Sequence, residues 1–149
     1  MALAPQGIAA LPAAQDMAGS NPLAQIPGLQ PEVASVLAHY FQNRGVEMDK
    51  AVPAVQKMLS EGLKLIPHGN SVMGMQLLTK DSAKVHFFTM GTEQQLDKDI
   101  QTFAQQLQAA GIHTLYDTEV DPMAVKGLQM VGYKVGQSDK PEFKLKATL

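Results

Sequence analysis

The sequence predicts an α+β or α/β fold in which two helices precede a mixed, largely antiparallel sheet with helices packed on it. Apolar residues follow a helical period between residues 32 and 66, and they follow a strand-like period from residue 71. Beyond residue 90 the two patterns alternate to the end of the chain. Residues 1–31 fit neither pattern and are predicted to form an extended arm, followed by a single α/β domain over residues 32–149.

The predicted arm is rich in proline and alanine and contains only one charged side chain, Asp16. Its prolines, which lack an N–H group and fix the backbone, interrupt any helix or strand: Pro5, Pro12, Pro22, Pro27 and Pro31. The apolar residues between them favour an arm that orders when it docks on a partner, through Leu3, Ile8, Leu11, Met17, Leu23, Ile26 and Leu29. A flexible Ala/Pro/Gly tail without a binding role is the alternative.

Two packed helices are predicted after the arm. The segment "PEVASVLAHYFQNRG" places Pro31 near a helix start, Glu32 in the first turn and Gly45 as the stop. The segment "DKAVPAVQKMLSEGLKLIP" repeats this design, and we expect it to stay helical until just before Pro67.

A hairpin and a long helix are predicted next. "SVMGMQLLTKD" and "AKVHFFTMG" have the composition of two strands, and the polar cluster "TKDSAK" forms their turn. Thr92 then opens a helix with Gln95 three residues on, which is a capping box. The apolar stripe of this helix ends before Gly111.

The rest of the chain is predicted as strand, short helix and two strands. "HTLYDTEV" is the strand, and Asp121 and Pro122 supply the cap and first turn of a helix that runs to Met130. "YKVGQ" and "EFKLKATL" are the last strands, joined by the turn "SDKP". The predicted order is therefore α-α-β-β-α-β-α-β-β.

Composition excludes several classes of function. With a formal net charge of −2 and a pI of about 6.0, no strong electrostatic attraction favours binding to DNA, RNA or anionic lipid. The chain has no cysteine, which removes disulfides and thiolate metal sites, and it shows neither a signal peptide nor a membrane span. Charged residues make up only 17% of the chain, which favours packing against other chains in multiple copies.

The order of elements after residue 71, together with "DPMAVKGLQMVGYKV", resembles the second half of the GNAT acyltransferase fold over about residues 71–149. In that family a turn of small residues holds the pyrophosphate of acetyl-CoA at a helix start. The matching turn here has a single glycine and an acidic first turn, so we expect only a vestigial cofactor site, at Gly91, Thr92, Glu93, Gln94 and Gln95.

The resemblance also implies that catalysis is lost. The general-acid tyrosine of the family corresponds to Leu128, which cannot protonate a leaving thiolate, and Tyr133 corresponds to a packed aromatic residue. No catalytic residue and no cofactor are therefore expected, and the chain is interpreted as a pseudoenzyme.

Other polar residues do not form a recognisable site in the sequence. The four histidines, at positions 39, 68, 86 and 113, are too far apart to predict a metal site. Asp97 and Asp99 are interpreted as a solvated helix face. A glutamine-rich face on the same helix is either a polar protein interface or merely a soluble surface.

An arm followed by a GNAT-like domain without a cofactor loop resembles the small internal virion proteins of short-tailed phages. This resemblance implies a non-enzymatic structural component of a bacteriophage virion, made in the host cytoplasm. Its expected partners are portal, tail or capsid subunits, with no membrane and no specific nucleic acid. The alternatives are an acetyl-CoA-dependent N-acetyltransferase and a regulatory module that binds a host protein.

Overall fold

The computed structural model describes residues 21–149, which fall into two compact units with the boundary between Ser60 and Glu61. The predicted mixed α/β fold is confirmed, with four α-helices and a six-stranded sheet in the described residues. The single domain predicted over residues 32–149 stays a prediction. None of the helices in this part of the chain is long and apolar enough to cross a membrane.

The first unit contains a short 3₁₀ helix and two α-helices. The 3₁₀ helix is Pro22–Gln25, and it is followed by helix α1, Pro31–Asn43, and helix α2, Met48–Ser60. Helix α1 begins with proline in its first turn and with Glu32 near its positive end, as the sequence predicts.

The structure differs from the predicted extended arm at residues 21–26. The Asn21 side chain accepts a hydrogen bond from the N–H of Leu23 and donates one to the carbonyl of Ala34. Leu23 is fully buried and Ile26 nearly so, and the 3₁₀ helix packs on α1 and α2. A capping side chain and two buried anchors thus outweigh the proline pattern here. Leu29 is half-buried, and the arm residues Leu3, Ile8, Leu11 and Met17 lie outside the described residues.

The prediction that the second helix continues until just before Pro67 is wrong, because the helix is shorter and a strand follows it. Helix α2 ends at Ser60, and strand β1 covers Lys64–His68. Gly62 turns the chain with a φ of +88°, a conformation that glycine adopts readily. Leu59 and Leu63 have a helical spacing, and this obscured the alternation of the strand that follows.

The second unit is a mixed sheet in the order β1-β2-β3-β4-β6-β5. Strands β2 (Ser71–Thr79) and β3 (Ser82–Thr89) form the predicted hairpin. Strand β4 (Thr114–Asp117) runs parallel to β3, and β6 (Leu145–Thr148) runs antiparallel to β4. Strand β5 (Lys134–Gln137) pairs with β6 alone and forms an edge of the sheet.

Helices α3 (Glu93–Ala109) and α4 (Pro122–Met130) form a core with one face of this sheet. Alternate residues of β3 face them, so Ala83, Val85 and Phe87 join the core while Lys84 and His86 point to the other face. Helix α3 contributes its apolar stripe, Leu96, Ile100, Phe103 and Leu107. Burial of this stripe holds α3 against the sheet, and a short turn connects β3 to the N-terminus of the helix.

Candidate functional site

The candidate site lies where β3 and β4 end. Open α/β sheets commonly bind ligands beyond the carboxyl ends of adjacent parallel strands. Strands β3 and β4 pair only over Ser82–Lys84 and Thr114–Tyr116. Strand β3 then continues to Thr89 and leads through a three-residue turn into α3. This turn contains the residues that the sequence nominates for a cofactor.

Side chains and backbone of the same chain take up most hydrogen-bond donors of the turn. The N–H of Gly91 donates to Thr89 Oγ1 at 3.0 Å, and that of Met90 donates to the carbonyl of Asn70. The N–H of Thr92 donates to Gln95 Oε1 at 2.8 Å, and that of Gln95 donates to Thr92 Oγ1 at 3.2 Å. This is the predicted capping box. The remaining N–H donors of the first turn are those of Glu93 and Gln94.

Atoms of Gln95 and Asn70 fill the space that a side chain would take at Gly91. A Cβ atom at this residue would collide with Gln95 Oε1 and would lie 3.1 Å from the Cβ of Asn70. The room that a glycine can offer to a phosphate is therefore taken by a side chain of the protein itself.

Carboxylates line the side of α3 that faces α4. Glu93 forms an ion pair with Lys126 at 2.7 Å, and this raises the pKa of Lys126 above its usual value. One turn further along α3, the Oδ1 atom of Asp97 is buried without a hydrogen-bond partner in the described residues. It lies against Gly127, where an added Cβ would be 3.3 Å away. The carboxylates of Glu93 and Asp97 outnumber the one lysine beside them, and this negative excess opposes the binding of a diphosphate.

A histidine–aspartate pair bridges β3 and β4 where they diverge. His86 Nδ1 lies 3.0 Å from Asp117 Oδ2 and 3.2 Å from Oδ1. Asp117 is buried, and its Oδ1 also accepts the N–H of Glu119 at 3.1 Å. The His86 ring packs edge-on against Phe88 at 4.7 Å between ring centres. Side chains therefore fill the gap between the two strands.

Asp99 accepts hydrogen bonds from residues next to the turn. The prediction that it belongs to a solvated helix face is wrong. It is only 7% exposed. Its Oδ2 accepts the hydroxyl of Ser71 at 2.6 Å and the N–H of Asn70 at 3.2 Å. Ser71 Oγ also lies 3.0 Å from Thr89 Oγ1, which accepts the N–H of Gly91. A network of hydrogen bonds thus joins α3, the start of β2 and the turn between β3 and α3.

Other residues considered from the sequence lie away from the candidate site. Leu128 and Tyr133 are both buried in the core, as the sequence predicts for Tyr133. Burial raises the pKa of Tyr133, and the nearby Gln108 opposes this rise without reversing it. Within residues 21–149 no three histidine or acidic side chains come together as a metal site. His39, for example, contacts Asn43 of its own helix at 3.1 Å.

Sequence reasoning missed two features of this site, the His86–Asp117 pair and the Asp99 network. The sequence predicts only that His86 and the other histidines form no metal site, and it does not distinguish Asp117. A usable signal exists for Asp117, since an acidic residue at the end of a buried strand marks a position where polar groups meet. The register that joins it to His86 requires the paired strands themselves.

Comparison with solved structures gives the fold. Aminoglycoside 6'-acetyltransferase type Ii is similar with a TM-score of 0.54 and 12% identity, over 84% of this chain and 91% of that one. The fold is GNAT-like. A second similar structure is yncA from Salmonella typhimurium with its cofactor acetyl-CoA, at a TM-score of 0.39 and 13% identity, over 91% of this chain and 86% of that one. No family model and no curated protein matches the chain.

The residues of the turn do not fit the cofactor that this GNAT-like fold implies. A pyrophosphate requires several converging N–H donors and an uncrowded backbone. Here Gln95 fills the space at Gly91, and the donors of Gly91, Thr92 and Gln95 are satisfied internally. The two remaining donors lie beside the carboxylate of Glu93, whose charge opposes that of a phosphate.

Proposed function

We propose that this chain uses a GNAT-like fold without acyl transfer, as a module that acts through protein–protein contacts. One observation carries the proposal: the turn between β3 and α3 directs its backbone donors to Thr89, Thr92 and Gln95 of the same chain. A turn built in this way is stable without a ligand and has little left with which to hold one.

The position that the family reserves for its general acid supports the same proposal. Leu128 there is 2% exposed and packs in the core between α4 and the sheet. Tyr133 is only 3% exposed, so its hydroxyl has no access to a substrate. Neither residue supplies the proton transfer that acyl transfer requires.

Within this class of function, a structural role in a bacteriophage virion is the finer proposal. Its support is the low charge of the chain and the apolar arm. Because Leu23 and Ile26 are buried in their own unit, the contacts to portal, tail or capsid subunits would fall to Leu3, Ile8, Leu11, Met17 and Leu29. A module that binds a host protein would use the same surfaces.

The competing function is an acetyl-CoA-dependent N-acetyltransferase, and the likeness to an aminoglycoside acetyltransferase fold favours it. The experiment that separates the two is thermal unfolding of the full chain with about 1 mM acetyl-CoA, since a ligand that prefers the native state must raise Tm. We expect no shift. A concentration-dependent rise in Tm, absent with acetate and adenosine alone, would establish cofactor binding and overturn the proposal.

The arm is tested with a pair of matched substitutions. Leu11→Asp should abolish co-purification with partner subunits and leave Tm unchanged. Leu23→Asp should lower Tm, because it places a charge among buried residues of the first unit. Normal co-purification of the Leu11→Asp protein would remove the arm from the proposed function.

A further inference from the structure

The two edges of the sheet differ in their capacity to accept another strand. Strand β1 forms one edge and contains Pro67 in its interior. Proline cannot donate to a ladder and commonly protects edge strands from pairing. Strand β5 forms the other edge and has no proline. Three of its four residues are exposed.

The register of β5 shows which of its backbone groups face outward. Lys134 pairs with Thr148 and Gly136 with Lys146, while the N–H of Ser138 donates to the carbonyl of Lys144. In an antiparallel ladder every second pair is hydrogen-bonded. The groups of Lys134 and Gly136 therefore point toward β6. Those of Val135 and Gln137 point to the open side.

A groove lies beside each face of this edge strand. The groove on the helix side has a volume of about 480 Å³, and Val120, Val125 and Val135 give it apolar walls. Val120 is 58% exposed although it is a large apolar residue. Every second side chain of an added strand would face this groove and cover these valines. Burial of apolar surface stabilises such a contact by about 25 cal/mol per Å².

The groove on the other face is smaller, about 290 Å³, and cationic. Lys134 and Lys146 line it, together with Gly136, where an added Cβ would meet nothing within 4 Å. Lys146 is paired with Asp139 at 3.3 Å. Lys134 is exposed and has no ion-pair partner among residues 21–149. The side chains of an added strand that fall on this face should therefore be acidic.

We propose that β5 accepts an extended segment of a partner protein in which apolar and acidic residues alternate. Val135 and Gln137 supply the backbone hydrogen bonds, the valine-lined groove takes the apolar side chains, and Lys134 takes the acidic ones. This surface is separate from the turn after β3, so it goes beyond the proposed function, and acetyl-CoA binding at that turn would neither support nor exclude it.

Charge argues for such a partner over a second copy of this chain. Two copies joined at β5 through a twofold axis perpendicular to the sheet would bring Lys134 of each copy onto the same face. Strand β5 itself contains no acidic residue, so a second copy would give this lysine no opposite charge on the paired strand. An acidic strand turns the same lysine into an attractive contact.

The test uses the peptide Ac-EVEVEVE-NH2, titrated into the full chain and followed by amide NMR shifts. We expect saturable shifts at Val135 and Gln137 below about 1 mM peptide, weakened by added salt. Lys134→Glu should weaken binding by about tenfold or more, because it reverses a charge that faces the ligand. Lys98→Glu, an equal charge change on an exposed position of α3, should leave binding unchanged.

Two further peptides test the mode of binding. Ac-KVKVKVK-NH2 and the proline-interrupted Ac-EVEPEVE-NH2 should bind weakly to the wild-type chain. Lack of binding of Ac-EVEVEVE-NH2, or shifts centred on β1, would overturn the proposal. Protection of β5 that depends on protein concentration without any peptide would overturn it too, in favour of a second copy.

Discussion

The backbone hydrogen-bonding groups of the turn after β3 and of the edge strand β5 differ in whether the chain itself satisfies them. The turn binds ligands in many α/β proteins, and here Thr89, Thr92 and Gln95 satisfy it from within. The edge strand turns the groups of Val135 and Gln137 to the open side of the sheet, next to two grooves. The binding capacity of the second unit thus lies at its edge and away from the carboxyl ends of its parallel strands.

A shared fold therefore does not determine where the functional surface lies. The GNAT-like fold explains why β3 meets α3 through a short turn. It does not decide whether that turn is open, because a single glutamine side chain is enough to occupy the space at Gly91. Function must therefore be argued from the groups at each site.

The largest expected effect comes from breaking the closed turn at its anchor. Asp99→Ala leaves the buried Ser71 hydroxyl and the N–H of Asn70 without their charged acceptor. We expect the free energy of unfolding to fall by about 2 to 3 kcal/mol, measured by urea denaturation.

Asp97→Ala is the matched control, because it makes the same change two residues earlier on the same helix. Its buried Oδ1 has no partner in the described residues, so its loss should leave stability unchanged or raise it. An equal loss of stability in both variants would contradict the anchor role of Asp99.

A smaller effect is expected from opening the capping box. Gln95→Ala removes the acceptor for the N–H of Thr92 and frees the space beside Gly91. Loss of a cap costs about 1 kcal/mol, which urea denaturation resolves. The adjacent exposed Gln94 lies outside the box, so Gln94→Ala should have no effect. If the two variants behaved alike, Gln95 would not be what closes the turn.

A substitution next to the open edge should act in the opposite direction. Tyr133 directly precedes β5. The Gln108 side chain lies near its buried hydroxyl, but no group in the described residues meets hydrogen-bond geometry with it. Tyr133→Phe should raise the free energy of unfolding by about 1 kcal/mol. Burial raises the pKa of Tyr133 above 10.0, so the wild type should lose further stability as the pH rises through that value while the variant does not.

Tyr116→Phe provides the control for this effect. The Tyr116 hydroxyl donates to Asp139 at 3.3 Å, so its removal should lower stability slightly. Stabilisation by both substitutions would mean that the missing partner of Tyr133 is not the cause.

The smallest effect concerns the ion pair of Glu93 and Lys126. Glu93 is the main cause of the raised pKa of Lys126, so Glu93→Gln should return that pKa to its usual range, measured by NMR titration of Nζ. The contribution of this pair to stability is present below the usual lysine pKa and is lost as the pH rises through the folded value. Both side chains are well exposed, so the midpoint of unfolding at pH 7 should not change.

Local signals in the sequence predicted most of the fold. The Thr92–Gln95 box and the Asp121–Pro122 start were confirmed because capping depends on a few adjacent residues. Strand β1 was missed because its apolar spacing continues that of the helix before it. The partners of Asp99 and Asp117 could not be predicted, since they lie about thirty residues away and meet through sheet register.

Amide hydrogen exchange on the isolated full chain tests the contrast between the turn and the edge most directly. We expect Gly91, Thr92 and Gln95 to exchange more slowly than Glu93 and Gln94. We also expect Val135 and Gln137 to exchange rapidly while Gly136 between them is protected. Rapid exchange at Thr92 and Gln95, or protection of Val135 and Gln137, would contradict the claim that the turn is closed and the edge is open.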